Sequence, residues 1–290
     1  MNIIKNLEEK KLITPPKWLA DNTHYLTITG SKAYGSSHES SDEDIYGFAI
    51  PPKHVMFPTG DIPGFDKPKE KFEQYLQTAI KDNEKEYDFT VFNIAKYFRL
   101  CADGNPNMID TLFTPQDCVL HCTELANNVR ENRRLFLSKE CYFKFAGYSK
   151  SQLHKMKIKT PQEGGKRWAD IQKHGFDRKF GVHLVRLLLE AKQILEDGDL
   201  DLRKNSELLK EIRRGEWTED QIINYFEVKD KELRNIFESS KLQNKPDEAK
   251  IRQLLVDCLE HHFGNLSSVV VNVNAADEAL AKIKEIVNKF

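Results

Sequence analysis

The hydrophobic pattern changes its period near residue 135, and this change limits the possible folds more than any other feature of the chain. Before that point, short apolar segments alternate with polar residues, which is typical of strands. We predict strands over residues 24–29, 45–50 and 86–92. Beyond it, apolar residues recur every three or four positions, as on helices. We therefore expect an α+β protein, with a small mixed-sheet domain over residues 1–135 followed by an all-α helical domain over residues 136–290.

Several helix boundaries can be predicted from capping residues. The clearest helix is expected over residues 177–197, because it ends at Gly198 and a glycine suits a left-handed cap. Ser206 and Thr218 are predicted N-caps, and Gln221 stands three residues after Thr218, as in a capping box. A short strand is expected over residues 269–271 in the otherwise helical second half.

Composition removes several classes of protein. The chain has 290 residues, of which 39% are hydrophobic, and no apolar run reaches the length of about 18 residues that a membrane-spanning helix needs. The N-terminal residues lack the apolar segment of a signal peptide. The five cysteines are odd in number and form no CxxC pair, which disfavours a disulfide framework or a zinc ribbon. We expect a cytoplasmic protein with no membrane association.

Basic residues are concentrated in the middle of the chain. Residues 139–192 contain 13 basic and five acidic residues, although the whole chain has 44 basic and 45 acidic ones. Such a concentration is typical of a surface that meets phosphate groups, and equally of a solvated helix face.

A glycine-serine turn and two closely spaced aspartates carry the chemical information of the first domain. Gly30 and Ser31 follow the first predicted strand, and Asp42 and Asp44 precede the second. Residues two apart on a strand point to the same face, so the two carboxylates can share one divalent cation, with magnesium favoured by an all-oxygen site. The glycine lets backbone N–H groups approach a phosphate. Each half alone is more often a plain turn or a solvated loop, and their combination is far more specific.

The motifs at residues 30–35 and 41–52 resemble those of the DNA polymerase beta-like nucleotidyltransferase superfamily, and more narrowly its stand-alone bacterial and phage members. The resemblance extends to residues 86–92, 104–107 and 110–113. It implies that Asp42, Asp44 and Asp88 bind two magnesium ions, with manganese as a substitute. It also implies that Gly30 and Ser31, with Lys32 and Tyr34 of the same motif, hold a nucleoside triphosphate.

The resemblance implies a catalytic role for the same three carboxylates, with Asp88 as general base or as a ligand of the second ion. The alternative for Asp88 is a charge at the edge of a strand. Glu43 and Tyr46 depart from the usual pattern, since position 43 is usually apolar or aromatic and position 46 often basic. Whether Glu43 faces solvent or tunes the metal site is open at this point.

A second nucleotide-binding element is predicted on the long helix. Lys179, His183 and Arg186 stand at i, i+4 and i+7, on one stripe that would face the first domain, and a solvated face is the equal alternative. The preceding region interleaves basic with aromatic residues, a pattern that modestly favours a nucleic-acid acceptor. These residues are Tyr148, Lys150, His154, Lys155, Lys157, Lys159, Lys166, Arg167, Trp168, Lys173 and Arg178.

The sequence thus predicts a metal-dependent nucleotidyltransferase that joins an NMP from an NTP to an acceptor hydroxyl and releases pyrophosphate. RNA or tRNA is the favoured acceptor, and a protein or a small molecule remains open. The alternatives are a transferase that adenylylates a partner protein and a non-catalytic module that senses nucleotide. The Pro- and Gly-rich residues 51–68 are expected to form a flap or an edge loop.

Overall fold

A five-stranded mixed sheet forms the first part of the molecule. The computed structural model describes residues 3–37, 42–57, 71–83, 85–158 and 163–264, without the Lys166 side chain. The strands are β1 (Thr23–Ile28), β2 (Glu43–Ala49), β3 (Gln74–Asp82), β4 (Lys85–Asn93) and β5 (Val119–Cys122). Their order is β3-β4-β2-β1-β5, in which β2 and β4 are parallel and the other neighbours are antiparallel.

The three predicted strands are confirmed as β1, β2 and β4, whereas β3 and β5 were missed. Both missed strands lie at the edges of the sheet. Only Ile80 of the nine residues of β3 is buried, so the strand lacks the alternation that a half-buried strand shows. β5 has only four residues, too few to establish a period.

Helices surround the sheet and make up the rest of the described chain. The short ones before β4 are α1 (Ile3–Glu9), α2 (Leu19–Asn22), α3 (Gly30–Ala33) and α4 (Lys53–Met56). Those up to residue 140 are α5 (Ile94–Ala102), α6 (Pro106–Phe113) and α7 (Glu124–Glu131), with 3-10 turns at Gln116–Cys118 and Arg133–Phe136. The later ones are α8 (Glu140–Ile158), α9 (Lys166–His174), α10 (Arg178–Asp197), α11 (Ser206–Arg214), α12 (Glu219–Ser239) and α13 (Glu248–Phe263).

Capping residues set the ends of the long helices as expected. The Asp177 side chain accepts a hydrogen bond from the backbone N–H of Lys179 at the start of α10, and Gly198 ends that helix in the left-handed conformation. Thr218 and Gln221 form a reciprocal capping box at the start of α12. The prediction for Ser206 was wrong by one residue, because Asn205 occupies the N-cap position and Ser206 begins α11.

The sheet and the helices are joined by one cluster of buried apolar side chains. It includes Leu26 and Phe89 from the sheet and Leu184 and Leu188 from α10. The architecture confirms the α+β fold class, and the division at residue 135 stays a prediction. No helix within the described residues is long and apolar enough to cross a membrane.

Two predicted features fall wholly or partly outside the described residues. The short strand over residues 269–271 lies outside them, and so do residues 58–68 of the predicted flap. The described beginning of that segment contains the single turn α4.

Candidate active site

The glycine-serine turn is tied directly to the strand that carries Asp44. After β1, the backbone N–H and the hydroxyl of Thr29 both donate to the carbonyl of Asp44, at 2.7 and 3.1 Å. Gly30 follows with φ +66°, a conformation that glycine adopts without strain. A Cβ on Gly30 would lie 2.6 Å from Asp44 Oδ2, closer than packed atoms come. The turn therefore requires glycine both for its backbone and for room beside the carboxylate.

Three carboxylates of the sheet line one cleft. Asp44 and Asp88 are direct partners in the parallel pairing of β2 with β4, and Asp42 stands just before β2. Burial raises the pKa of Asp44 above its ordinary value, Lys179 opposes that shift, and the charges of Asp88 and Asp42 add to it. The chain thus holds negative charges close together where they repel one another.

A bulge in β3 fixes the third carboxylate. The pairing of β3 with β4 shifts register between Gln77 and Ile80, and Ala79 adopts φ +56° there. Its freed N–H donates to Asp88 Oδ1 at 2.7 Å. Among the described residues, no three His, Cys, Asp or Glu side chains are gathered as a ready metal site. The three aspartates therefore share a cleft in which Asp88 is turned toward the bulge.

Glu43 and Lys32 pair with each other outside the lining of the cleft. Lys32 Nζ lies 3.2 Å from Glu43 Oε1, and Lys85 Nζ lies 3.7 Å from the same oxygen. Because Glu43 alternates with Asp42 and Asp44, its side chain emerges on the other face of β2. The open question about Glu43 is thereby answered, since it holds two lysines. Lys32 pairs with Glu43, and its role in nucleotide binding stays a prediction.

Helices form the opposite side of the cleft, which has a volume of about 450 Å³. We call Asp42, Asp44, Asp88, Gly30 and Ser31 the sheet wall. The helical wall consists of the lining residues from α9, α10 and α11 and the segment before α10. These are Arg167, Asp170, Asp177, Arg178, Lys179, Val182, His183, Arg186 and Arg213, and Tyr34 lies between the two walls.

The predicted stripe on α10 does reach the cleft, but its three members differ in charge. Lys179 is exposed and has no ion-pair partner among the described residues, and it lowers the pKa of Asp44. Burial, then the neighbouring Arg186 and Lys179, lowers the pKa of His183 to about 3, so its imidazole is neutral near pH 7. It can offer a hydrogen bond there and no charge.

Arg186 is a buried structural cation. It is ion-paired with Asp110, and its Nη1 lies 2.9 Å from Glu190 Oε2. The guanidinium also stacks 4.3 Å from the ring centroid of Tyr34, whose hydroxyl donates to Asp110 Oδ2 at 2.6 Å. Arg186 and Tyr34, both predicted to bind nucleotide, are thus already engaged with each other and with two carboxylates.

The other cations of the helical wall are either paired with a carboxylate or without one. Arg167 lies 3.4 Å from Asp177, and Arg178 Nε donates to Asp170 at 2.8 Å. Arg213, in the last turn of α11, is half-buried and has no carboxylate partner among the described residues. Burial and the charge of Arg178 lower its pKa. Sequence reasoning missed Arg213 because two adjacent arginines before a glycine are ordinary at a helix C-terminus.

Comparison with known proteins defines the family. A family model described as the RNA repair pathway DNA polymerase beta family matches residues 4–257. The chain therefore belongs to this family of DNA polymerase beta-like nucleotidyltransferases, which confirms the resemblance of its motifs.

Individual relatives are distant. An uncharacterised 38.9 kDa protein of Enterobacteria phage T4, from the nrdC-mobD intergenic region, is 25% identical over 161 residues. The match covers 50% of this chain and 46% of the phage protein, so the chain spans about half the length of that curated relative. The crystal structure of a nucleotidyltransferase-like protein from Exiguobacterium sibiricum 255-15 aligns with a TM-score of 0.29 and 11% identity, over 93% of this chain and 75% of that chain.

Proposed function

We propose that the chain is a metal-dependent nucleotidyltransferase that moves an NMP from an NTP to a hydroxyl of RNA. The observation that carries the proposal is the opposition of charges across the cleft. Three aspartates stand on the sheet wall, and Lys179 and Arg213, which have no carboxylate partner among the described residues, stand on the helical wall. A nucleoside triphosphate with bound divalent cations has the complementary arrangement of charges.

The sheet wall fits a magnesium site by its donor atoms. Its carboxylates offer only oxygen ligands, which magnesium prefers, and manganese uses the same kind of site. Burial first, and then repulsion from Asp88 and Asp42, raise the pKa of Asp44, and a bound cation would offset both effects. Asp42 and Asp44 would hold the ions, and Asp88, which accepts a hydrogen bond from Ala79 through Oδ1, would serve as the general base. The bound ions would neutralise charge on the triphosphate.

The remaining roles belong to the residues of the chain. Gly30 leaves room for the Asp44 carboxylate, and the Ser31 hydroxyl can donate to phosphate oxygens. Lys179 and Arg213 bind the phosphates from the other side. The acceptor oxygen attacks the α-phosphorus and forms a new P–O bond, while the bond to the β-phosphate breaks and pyrophosphate leaves. The hydroxyl proton passes to Asp88, whose Oδ2 is not used by Ala79.

Two features favour RNA as the acceptor. The description of the family refers to RNA repair. Seven of the 13 basic residues of the middle of the chain lie on α8 and α9, and α9 contributes Arg167 to the cleft. Both support RNA over a protein or a small molecule.

The test is transfer of label from each α-labelled NTP, with magnesium, to a mixture of total RNA and cell protein. The intact protein is expected to label RNA, and the Asp42→Asn/Asp44→Asn variant is expected to lose labelling. The Asp257→Asn/Glu260→Gln variant of α13 is the matched control and should retain it. Label on protein would identify an adenylylating transferase. Magnesium-dependent NTP binding without any transfer would identify a nucleotide sensor, and either result would overturn the proposal.

A further inference from the structure

Helix α8 presents an exposed surface that combines aromatic rings with lysines. Phe143 is 59% exposed, Tyr148 41% and Ile158 62%, which is unusual for side chains of this size. Lys144 and Lys155 lie on the same face as Tyr148 and Ile158, since positions 144, 148, 151, 155 and 158 recur at helical spacing and all are exposed, and Phe143 lies to one side of this face. We call Phe143, Lys144, Tyr148, Lys155 and Ile158 the α8 surface.

The charge of α8 is strongly one-sided. The helix has four lysines, at positions 144, 150, 155 and 157, and its single acidic residue is Glu140 in the first turn. None of the four lysines forms an ion pair with a described carboxylate, whereas four lysines of the later helices and Lys204 in the turn before α11 do. An excess of positive charge without such partners is complementary to a polyanion.

An aromatic groove opens beside the first half of α8. Tyr142, Phe143 and Phe237 form a triangle with ring centroids 5.1–5.2 Å apart. Gly147 and Lys150 continue the groove, and a Cβ on Gly147 would meet no atom within 4 Å. An exposed ring beside an open space of this kind suits a planar base, which stacks on aromatic faces.

The direction of α8 leads from this groove to the cleft. The backbone N–H of Lys139, just before α8, donates to Gln243, while Ser240 near it donates to Leu195 at the end of α10. The Ser149 hydroxyl, in the middle of α8, donates to Leu184 at 3.1 Å. The two helices are therefore antiparallel, and the last turns of α8 lie beside the start of α10, where Lys179 lines the cleft. The helix is about 28 Å long at about 1.5 Å per residue.

We propose that the α8 surface binds the single-stranded segment of an RNA acceptor whose hydroxyl end enters the cleft. The lysines contact phosphates, and Phe143 and Tyr148 stack on bases. The proposal rests on the proposed function for the role of the bound strand as acceptor. The binding itself is independent of transfer and can be measured without NTP or magnesium.

The test is the affinity for a fluorescent single-stranded RNA of about 12 nucleotides, a length within the range of such sites, measured by anisotropy over several salt concentrations. Phe143→Ala/Tyr148→Ala is expected to weaken binding by about tenfold or more, because each base–aromatic stack contributes substantially. Lys144→Glu/Lys155→Glu is expected to weaken binding and to reduce the salt slope by about 0.7 for each phosphate that is no longer neutralised. Phe143→Tyr/Tyr148→Phe keeps the rings and should keep the affinity.

The matched control is Lys250→Glu/Arg252→Glu, which makes the same charge change on α13. Equal decreases in affinity for this control and for the α8 variants would show non-specific attraction and overturn the proposal. Unchanged affinity in the alanine variant would also overturn it. So would α8 variants that still bind RNA but lose self-association or the binding of a protein partner.

A transfer assay separates this inference from the proposed function. RNA binding through α8 without any labelling would leave the inference standing and reject the transferase. If the α8 variants label RNA as efficiently as the wild type, the transferase stands and the inference about α8 is rejected.

Discussion

Gly30 shapes the sheet wall because it has no side chain. We expect Gly30→Ala to reduce magnesium-dependent nucleotide binding at least tenfold, because its Cβ would displace the Asp44 carboxylate. The positive φ adds a stability cost of about 1–2 kcal/mol. Calorimetric titration and urea unfolding measure the two effects.

Gly198→Ala is the control for this prediction. Gly198 also has a positive φ, of +60°, but a Cβ there would meet Leu242 at an ordinary 3.6 Å. Both variants should lose stability, and only Gly30→Ala should lose binding. Equal binding by the two variants would contradict the role given to Gly30.

Arg213 and Arg214 are neighbours with opposite surroundings, which makes them a natural pair for comparison. Arg213 faces the cleft without a counter-ion among the described residues, whereas Arg214 pairs with Glu216 on the exposed side. We expect Arg213→Gln to weaken NTP binding about 10- to 100-fold, as the loss of a charge-assisted hydrogen bond does. Arg214→Gln should leave it unchanged. Equal dissociation constants for the two variants in a nucleotide titration would remove Arg213 from the site.

At the residue scale, sequence reasoning reached the sheet wall better than the helical wall. Asp42 and Asp44 follow from their spacing beside a strand, a relation between near neighbours. Arg186 and Asp110 are 76 residues apart, and their pairing depends on packing that no local pattern contains. The ion pairs of Arg186 could therefore not be predicted from the sequence, and its nucleotide-binding role stays a prediction.

At the scale of elements, α13 contacts the sheet through a pair of hydrogen-bonded histidines. His24 Nε2 in β1 lies 3.0 Å from His262 Nδ1 in α13, and His24 Nδ1 lies 3.0 Å from Thr123 Oγ1. Burial, followed by the charges of His262, His121 and His261, lowers the pKa of His24 to about 4. The contact therefore depends on a neutral imidazole.

The sign of the resulting pH dependence follows from proton binding. Between the ordinary pKa of 6.5 and the folded value of about 4, the unfolded chain binds more protons at His24. This contribution to the unfolding free energy is complete above pH 6.5 and falls toward pH 4, by at most about 1.4 kcal/mol per pH unit before solvent screening. His24→Gln should flatten the fall measured by urea unfolding, and His54→Gln, at an exposed position, should not. Parallel pH profiles for wild type and His24→Gln would contradict this.

Edge elements were the part of the fold that the sequence predicted least well. β3 includes the bulge that orients Asp88, yet a bulge breaks the period by which a strand is recognised. The central strands β2 and β4 are buried among neighbours and keep a readable pattern. The position of Asp88 therefore depends on β3, a strand whose sequence does not show a regular period.

At the scale of the whole molecule, one buried ion cluster connects three parts of the chain. Arg186 of α10 holds Asp110 of α6 and Glu190, and Asp110 accepts the Tyr34 hydroxyl from the turn after α3. Burial raises the pKa of both carboxyls, and Arg186 opposes the shift. The cluster therefore fixes the position of the helical wall relative to the glycine-serine turn.

Removal of the shared cation should be costly. We expect Arg186→Met to lower the unfolding free energy by about 3–5 kcal/mol, because two buried carboxylates lose their partner. The triple variant Arg186→Met/Asp110→Asn/Glu190→Gln should recover part of that loss. Urea unfolding of both proteins checks the prediction, which fails if the single variant is as stable as wild type or the triple variant is less stable than the single one.

The separation of charges between the two walls has a consequence for how a ligand approaches. Among the described residues that line the cleft, the acids without a cation partner belong to the sheet wall, and the cations without an acid partner, Lys179 and Arg213, belong to the helical wall. The electric field across the cleft consequently points from the helical wall to the sheet wall. A molecule with a cationic end and an anionic end gains energy in one orientation and loses it in the reverse one. The cleft can therefore orient such a molecule, with its cationic end toward the sheet wall and its anionic end toward the helical wall, before any hydrogen bond forms.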